Sequence, residues 1–327
     1  MRPPHFESLP KRKLRVALLM GGPSAEREIS LQSGAAVSRA LESLGHVVRQ
    51  VDPLHVNLNE FPWDQFDVAF IALHGTFGED GEVQQILERA LIPYTGSGVA
   101  ASRLAISKSA SKERFIQSQI ATAPYVLIHD TDARARIEQL ADQLGYPLVV
   151  KPDAQGSSLG VTIVQQKAQL AEALDRCFQL DHFGLMERAI RGAEWTVGLL
   201  DERVFPPIRI ATKRAFFDYA AKYQDDETQH LFDSDVSAGQ LDRIIQTARG
   251  ACTAVGTCGL VRVDLIVDEN GCPIVLEVNT VPGLTDHSLV PKAAARLGWT
   301  MAELCQACLS SAMQHAYERA VMRSARG

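Results

Sequence analysis

Residues 259–291 read GLVRVDLIVDENGCPIVLEVNTVPGLTDHSLVP. From Leu260 to Leu265, charged and apolar residues alternate with the two-residue period of a half-buried strand. Residues 268–271 then supply a turn with a glycine available for positive φ. A second apolar run extends from Pro273 to Val278. The stretch therefore predicts a β-hairpin.

Four polar side chains share one predicted face of this hairpin, because residues i and i+2 of a strand point to the same side. They are Arg262, Asp264, Glu277 and Asn279. Carboxylate and amide oxygens suit a hard cation such as Mg²⁺, which completes its shell with water and phosphate. The guanidinium of Arg262 offers a planar donor fork for a phosphoryl group or an oxyanion. Two interpretations explain these four side chains equally well. They could form the surface of a phosphoryl-transfer site, or they could be solvated charges on the outer face of a strand pair.

The residues after the hairpin favour the first interpretation. Residues 279–291 form a polar loop with Gly and Pro, and an apolar helix is predicted from about Leu289 to Leu297. The order of R-x-D at 262–264, E-x-N at 277–279 and P-G-x-T-x-H-S-L-x-P at the end of the loop resembles the D-alanine–D-alanine ligases, a family with the ATP-grasp fold. This is a long and specific match.

The resemblance covers roughly residues 14–310 and implies an α/β chain with the ATP-grasp fold. Its N-terminal domain would be a Rossmann-like parallel sheet, and two α+β domains would clasp ATP. The expected divisions are an N-terminal extension at 1–12, the N-terminal substrate domain at 13–105, a central ATP-grasp domain at 106–187 and a C-terminal catalytic domain at 188–327, with a lid loop at about 212–230.

The N-terminal residues predict a parallel sheet without the resemblance. An apolar run at Leu14–Met20 precedes a helical pattern from Ala25 to about Leu44 and a short strand at His46–Val51. Strand–helix–strand order is typical of parallel pairing. A further buried strand at Asp67–Leu73 delivers His74 at its C-terminal end, where α/β sheets place ligands. The Gly-Gly after the first strand lacks the GxGxxG spacing of dinucleotide-binding proteins.

Composition narrows the class of protein. With 327 residues, 46% of them apolar, the chain is long enough for two or three domains. A net charge of −6 without a basic block disfavours nucleic acid as a partner. No apolar run reaches the ~18 to 20 residues of a membrane span, and the N-terminus lacks the apolar core of a signal peptide. The six scattered cysteines then indicate reduced thiols in the cytoplasm, and Cys305 and Cys308 are expected to be buried rather than metal-bound.

The resemblance assigns roles near the first substrate. Glu26 would hold the ammonium of the first amino acid, whereas alone it is explained as a first-turn acid favoured by the helix dipole. His74 would lie beside the acyl phosphate, although a histidine at a strand end is more often structural. Ser157 and Tyr223 would tie the lid to the loop that carries Glu26.

The resemblance also assigns the nucleotide contacts. Lys108, Lys151 and the lid residue Lys222 would contact phosphates, and Lys151 would also contact the adenine side. The Gly- and Ser-rich loop at 153–160 would cradle phosphates with its backbone, although a β-hairpin turn explains that loop too. The remaining expected nucleotide-binding residues are Ser158 in that loop, Glu187, Ala189 and Ile190 at the adenine, Glu194 at the ribose, and Asn279. The family usually has an aromatic residue where Ala189 stands.

The residues of the hairpin and the following loop complete the implied site. Asp264, Glu277 and Asn279 would hold two Mg²⁺ or Mn²⁺ ions. Arg262 and the Gly283 N–H would stabilise the tetrahedral oxyanion. Ser288 and the Leu289 N–H would bind the second substrate's carboxylate at a helix N-terminus, where anions are favoured.

The implied reaction joins two D-alanine molecules with ATP through D-alanyl phosphate, as in the synthesis of peptidoglycan precursors. A homodimer is the family expectation. A ligase that uses D-lactate or D-serine as the second substrate is the alternative within the family, and Tyr223 disfavours D-lactate. An ATP-binding regulatory protein without catalysis is the alternative from another class, and the presence of Arg262 and both metal carboxylates disfavours it.

Overall fold

A computed structural model describes residues 13–211, 229–232 and 236–324. The N-terminal part forms a parallel sheet in the order β2-β1-β3. It contains β1 (Arg15–Leu19), α1 (Arg27–Ser43), β2 (Val47–Val51) and β3 (Val68–Ile71), followed by α2 (Glu82–Arg89), α3 (Val99–Ile106) and α4 (Lys108–Gln117). The predicted strand–helix–strand unit is confirmed.

A four-stranded antiparallel sheet in the order β4-β7-β5-β6 follows. Its elements are β4 (Tyr125–His129), α5 (Arg134–Leu144), β5 (Leu148–Pro152), β6 (Thr162–Val164), α6 (Leu170–Phe178) and β7 (Phe183–Arg188). Helices α5 and α6 bury Ile137 and Leu174 against Val150 of the sheet. Because the helices cover one face, the other face is left to line a cleft.

The third sheet has the order β11-β10-β8-β12-β13, with β9 also paired to β8. Its strands are β8 (Gly192–Leu200), β9 (Arg203–Val204), β10 (Ile208–Ala211), β11 (Gln229–Leu231), β12 (Leu260–Asp268) and β13 (Pro273–Asn279). The accompanying helices are α7 (Ala238–Val255), α8 (Leu289–Arg296) and α9 (Met301–Ser324). The predicted hairpin is β12 and β13, paired antiparallel.

The register of this hairpin places Arg262 opposite Asn279 and Asp264 opposite Glu277. The next pair is Leu265 with Val275, so Leu276 is an extra residue in β13. Such a β-bulge bends a strand and redirects its side chains, and bulges are frequent beside active sites. The alternation pattern did not predict this irregularity.

The last helix returns to the start of the chain. Leu304 and Leu309 of α9 belong to one buried cluster with Leu18 of β1 and Val37 of α1. Burial of each such aliphatic side chain contributes about 1.5–3 kcal/mol to the free energy of unfolding. The C-terminal helices therefore fix the third sheet against the N-terminal sheet, and the clefts described below lie where the parts of the chain meet.

The six cysteines all lie within the described residues. All six cysteines are free thiols, and Cys305 and Cys308 are buried as expected. Burial raises the pKa of Cys305 to about 12. Among the described helices, none is long and apolar enough to cross a membrane.

Candidate active site

Two adjoining clefts collect the predicted site residues, and they share Lys108, Gln155 and Glu277. We call the first the loop cleft, because the loop after β13 lines it. Its predicted residues are Glu26, His74, Ser157, Arg262, Asn279, Gly283, Ser288 and Leu289. We call the second the sheet cleft, because β5 and β7 line it. Its predicted residues are Lys151, Ser158, Glu187, Ala189, Ile190, Glu194 and Asp264.

Every predicted site residue that the structure describes therefore lines one of these clefts. Lys222 and Tyr223 lie outside the described residues, so their roles stay predictions. Residues distant in sequence meet here because loops that follow strands line the loop cleft, whereas residues within the strands of two sheets line the sheet cleft. Loops at the carboxyl ends of strands are frequent ligand sites in α/β proteins.

Glu26 and Ser157 meet across the loop cleft. The Ser157 hydroxyl donates a hydrogen bond to Oε1 of Glu26. Two glycines make room for the carboxylate: a Cβ at Gly156 would lie 2.6 Å from Oε2 of Glu26, and one at Gly75 would lie 2.7 Å from it. Gly75 also has a φ of +71°, which disfavours other residues. The carboxylate is thus held in a narrow space at the cleft wall.

His74 joins the N-terminal sheet to the loop after β13. Its Nδ1 lies 3.0 Å from the carbonyl oxygen of Val281, and its Nε2 lies 3.1 Å from the hydroxyl of Ser33. That hydroxyl accepts a hydrogen bond from the backbone N–H of Leu284. Glu79, with an oxygen 3.5 Å from Nδ1, is also buried, and burial raises its pKa. His74 therefore fixes the loop position as well as lining the cleft.

The hairpin carries a bidentate ion pair. Arg262 donates from Nε and Nη2 to the two oxygens of Asp264, at 2.9 and 2.8 Å. Thr196 of β8 donates to the same carboxylate at 2.6 Å. Glu277 lies 3.8 Å from the Lys108 ammonium and keeps a partly exposed carboxylate. The two carboxylates are cross-strand neighbours, but Asp264 is engaged by protein donors and Glu277 is more open.

The donor set of the hairpin fits a magnesium or manganese ion. Asp264, Glu277 and the amide of Asn279 provide only oxygen donors, which hard cations prefer. Over the described parts of the chain, no group of three or more His, Cys, Asp or Glu side chains could hold a metal alone. A site with two carboxylates is what Mg²⁺ uses when a bound phosphate completes its shell. These residues therefore suit an ion that arrives with a nucleotide.

The base of the sheet cleft holds a cluster of lysines around one carboxylate. The ammonium of Lys151 is 2.5 Å from Oε1 of Glu187, and that of Lys112 is 2.8 Å from Oε2. Burial raises the pKa of Glu187, but the two lysines lower it to about 2. Lys108 points elsewhere, donating to the carbonyl oxygen of Gln155 at 2.6 Å. Lys108 and Lys151 thus both bring an ammonium group to the sheet cleft.

The far end of the loop cleft is the N-terminus of α8. Ser288 is the N-cap residue, but its side chain makes no capping hydrogen bond. Its hydroxyl instead accepts from the Thr285 backbone N–H at 3.0 Å. The first N–H groups of α8 thus lack a side-chain cap, which suits an anion such as a carboxylate. Gly283 lies against Ser288, with a Cβ position 2.8 Å from its hydroxyl.

Sequence analysis missed several residues at the clefts, and four of them have polar side chains that the geometry brings into the site. Lys112 and Thr196 hold predicted site carboxylates, Gln155 lines both clefts, and His230 lines the loop cleft. Gln155 lies within the Gly- and Ser-rich loop, so its neighbours carried a signal. A lysine inside a helical pattern, a threonine inside a strand and a histidine at the end of the predicted lid carried none, because only tertiary contacts distinguish them.

Comparison with known protein families agrees with this geometry. A family model for the D-ala D-ala ligase C-terminus matches residues 115–310, and one for the D-ala D-ala ligase N-terminus matches residues 49–97. The chain belongs to the D-alanine–D-alanine ligase family. Both matches lie inside the region over which the sequence motifs were recognised.

Individual members of the D-alanine–D-alanine ligase family match along most of their length. The D-alanine–D-alanine ligase of Syntrophotalea carbinolica is 42% identical over 299 residues, covering 91% of this chain and 96% of that protein. The one from Aromatoleum aromaticum is 44% identical over 299 residues, with the same coverage of 91% and 96%.

Solved structures of the family have the same fold. A crystal structure of D-alanine–D-alanine ligase from Bacillus anthracis superposes with a TM-score of 0.84 at 32% identity, covering 94% of this chain and 99% of that one. The same enzyme complexed with ATP gives a TM-score of 0.83 at 30% identity and the same coverage. The predicted ATP-grasp fold is confirmed.

Proposed function

We propose that this chain ligates two D-alanine molecules to D-alanyl-D-alanine, converting ATP to ADP and phosphate. The observation that carries the proposal is the junction of the two clefts at Lys108 and Glu277. A nucleotide in the sheet cleft and an amino acid in the loop cleft would meet there, with the γ-phosphate beside the carboxylate to be activated. The identity of 42% and 44% to named D-alanine–D-alanine ligases supports the choice of substrate.

Activation comes first, because a carboxylate oxygen is too poor a leaving group for an amine to displace. Transfer of the γ-phosphoryl group gives D-alanyl phosphate and ADP. This step needs positioning and charge neutralisation more than covalent participation by the protein. In the proposal, Glu26 binds the ammonium of the first D-alanine, while Lys108 and Lys151 neutralise the phosphates.

The hairpin acids would hold the metal. When bound through Asp264, Glu277 and Asn279, magnesium or manganese supplies Lewis-acid neutralisation of phosphate oxygens. Arg262, which binds Asp264 at 2.8 Å, fixes one of these carboxylates in place. Two such ions are proposed, as the family resemblance implies.

Peptide bond formation would take place at the loop cleft. The amine of the second D-alanine attacks the carbonyl carbon of D-alanyl phosphate, and phosphate leaves. Arg262 and the Gly283 N–H would stabilise the tetrahedral oxyanion, a term worth about 3–4 kcal/mol per donor in other enzymes. Ser288 and the start of α8 would bind the acceptor carboxylate.

The closing experiment measures phosphate release from ATP and Mg²⁺ with D-alanine, L-alanine, D-alanine plus D-lactate, and D-alanine plus D-serine, with the products identified. The expected result is phosphate release in every mixture that contains D-alanine and none with L-alanine, with D-alanyl-D-alanine as the main product each time. If the product with D-lactate or D-serine forms preferentially, that molecule is the second substrate, and the proposed mechanism is unchanged. ATP binding without phosphate release in any mixture would overturn the proposal in favour of a regulatory protein.

The cellular setting forms part of the proposal. The dipeptide would serve the synthesis of peptidoglycan precursors, which uses cytoplasmic ATP. The protein is taken as a homodimer without nucleic acid or membrane partners. These statements follow the sequence expectation, and sedimentation of the purified protein tests the oligomeric state.

A further inference from the structure

Lys112 is fully buried and belongs to none of the roles assigned so far. Its side chain has 0% exposure, and it contacts Glu187, whose side chain is 4% exposed. Lysines are almost never fully buried unless they are paired, because burying an ammonium without a partner is costly. A buried lysine beside a predicted nucleotide-binding carboxylate therefore calls for a function.

Lys112 reaches Glu187 from behind the sheet cleft. It lies on α4 and does not line either cleft, whereas Glu187 and Lys151 both line the sheet cleft. Its ammonium donates a hydrogen bond of 2.7 Å to the Thr122 hydroxyl. That hydroxyl donates in turn to the carbonyl oxygen of Val275 on β13. Lys112 is thus held by α4, β7 and the segment beside β13 together.

The three charged groups do not cancel. Lys151 contacts Oε1 of Glu187 and Lys112 contacts Oε2, so two ammonium groups share one carboxylate. The cluster carries a formal charge of +1. Without Lys112, the single carboxylate would cancel Lys151, and the pair would present no net charge to a phosphate.

The division of exposure gives the two lysines different tasks. Lys151 faces the cleft with 8% of its side chain exposed, and Lys112 has none exposed. Charges in such a weakly screened site act more strongly on a bound anion than surface charges do. A charge placed behind Glu187 therefore changes the field in the cleft without touching the ligand.

We propose that Lys112 is a positioning residue for the nucleotide: it neutralises and orients Glu187 from behind, so that Lys151 presents an uncancelled positive charge to the phosphates. This inference deepens the proposed function and rests on its assignment of the sheet cleft to ATP. It differs from a purely structural role, because it ties the affinity for phosphate to the formal charge of the cluster.

Four forms of the full-length protein test this charge dependence. The wild type has a cluster charge of +1, Lys112→Met has 0, Glu187→Gln has +2, and the double variant has +1 again. Calorimetry of ATP and of adenosine gives the ratio of the two affinities for each form. Adenosine lacks phosphates, so the ratio removes any effect on adenine binding or on general stability.

The expected ratio follows the charge. Lys112→Met should lower it by about tenfold or more, Glu187→Gln should raise it, and the double variant should return to within about threefold of the wild type. Lys167→Met is the matched control, because Lys167 is exposed and pairs with Asp142 at 2.7 Å. Its ratio should equal that of the wild type. If Lys112→Met does not fold, the wild type, Glu187→Gln and the double variant still show whether the affinity ratio increases with the cluster charge.

Two results would overturn the inference. One is an unchanged ratio in Glu187→Gln or Lys112→Met, and the other is a double variant whose ratio is no higher than that of Lys112→Met. Equal losses for ATP and adenosine would likewise reduce Lys112 to a structural residue. Wild-type protein that binds no ATP would instead refute the proposed function, so the two failures are distinguishable.

Discussion

Arg262 and Asp264 bind each other through two contacts of 2.9 and 2.8 Å, although they are only two residues apart on β12. Alternate residues of a strand share a face, so the guanidinium group of one residue and the carboxylate of the next but one can pair side by side. The pair is mostly buried, at 13% and 9% side-chain exposure. Each residue therefore holds the other in the orientation that its own proposed role requires.

Replacing Arg262 with alanine should separate catalysis from nucleotide binding. The guanidinium is proposed to act on charge that develops during acyl transfer, so kcat should fall by about a hundredfold or more. ATP affinity should change only a few-fold, because Arg262 lines the loop cleft and not the sheet cleft. Steady-state phosphate release and ATP calorimetry provide the two numbers. Near-normal turnover would remove Arg262 from the mechanism.

Replacing Asp264 with asparagine should weaken the binding of Mg²⁺ that supports phosphate release. The substitution keeps the shape of the side chain but removes a charge that both Arg262 and a hard cation need. The Mg²⁺ concentration for half-maximal phosphate release should rise by about tenfold or more. Glu269→Gln is a matched control in the same hairpin, since Glu269 is exposed in the turn. An unchanged Mg²⁺ dependence in Asp264→Asn would exclude this carboxylate as a ligand.

Replacing Gly156 with alanine should act on the first D-alanine. The new methyl group would lie 2.6 Å from the Glu26 carboxylate, which must then move away from Ser157. The KM for the first D-alanine should rise by about tenfold, with little loss of thermal stability, because a side-chain end can shift. Gly239→Ala is the control, since a Cβ there meets nothing within 4 Å. Equal KM values in both variants would contradict the assigned place of Glu26.

The hairpin and the loop after it were predictable because their signals are local. Period-two alternation, a turn with glycine and the run from 282 to 291 lie within one short segment. The bulge at Leu276 was not predictable, because it depends on the match between two strands. The roles of Lys222 and Tyr223 and the domain boundaries near 105 and 187 stay predictions.

Partners distant in sequence carried no comparable signal. The last helix, Met301–Ser324, packs against α1. The periodicity of its apolar residues did not identify α1 as the helix against which it packs, because the sequence pattern of one apolar helix face fits many different partners. Lys112 shows the same limit: a lysine in a helical pattern indicates a surface position until Glu187 is brought beside it.

His230 and Lys292 form a close pair at the loop cleft. The Lys292 ammonium lies 3.0 Å from Nδ1 of His230, which lines the cleft on β11. Burial and, second, Lys292 lower the pKa of His230 from 6.5 to about 4. The unfolded chain takes up this proton at a higher pH than the folded one. The contribution of His230 to the free energy of unfolding should therefore decrease as the pH falls from 6.5 towards 4.

Replacing Lys292 with methionine should raise the pKa of His230 but leave it below 6.5, because burial is the larger cause and remains. An NMR titration of the His230 ring protons measures this directly. Lys292→Arg keeps the positive charge and serves as the control, in which the pKa should stay depressed. The acid-induced loss of stability should be smaller in Lys292→Met than in wild type, since the shift between folded and unfolded pKa values is smaller. A pKa of His230 that is the same in both variants would show that Lys292 does not act on it.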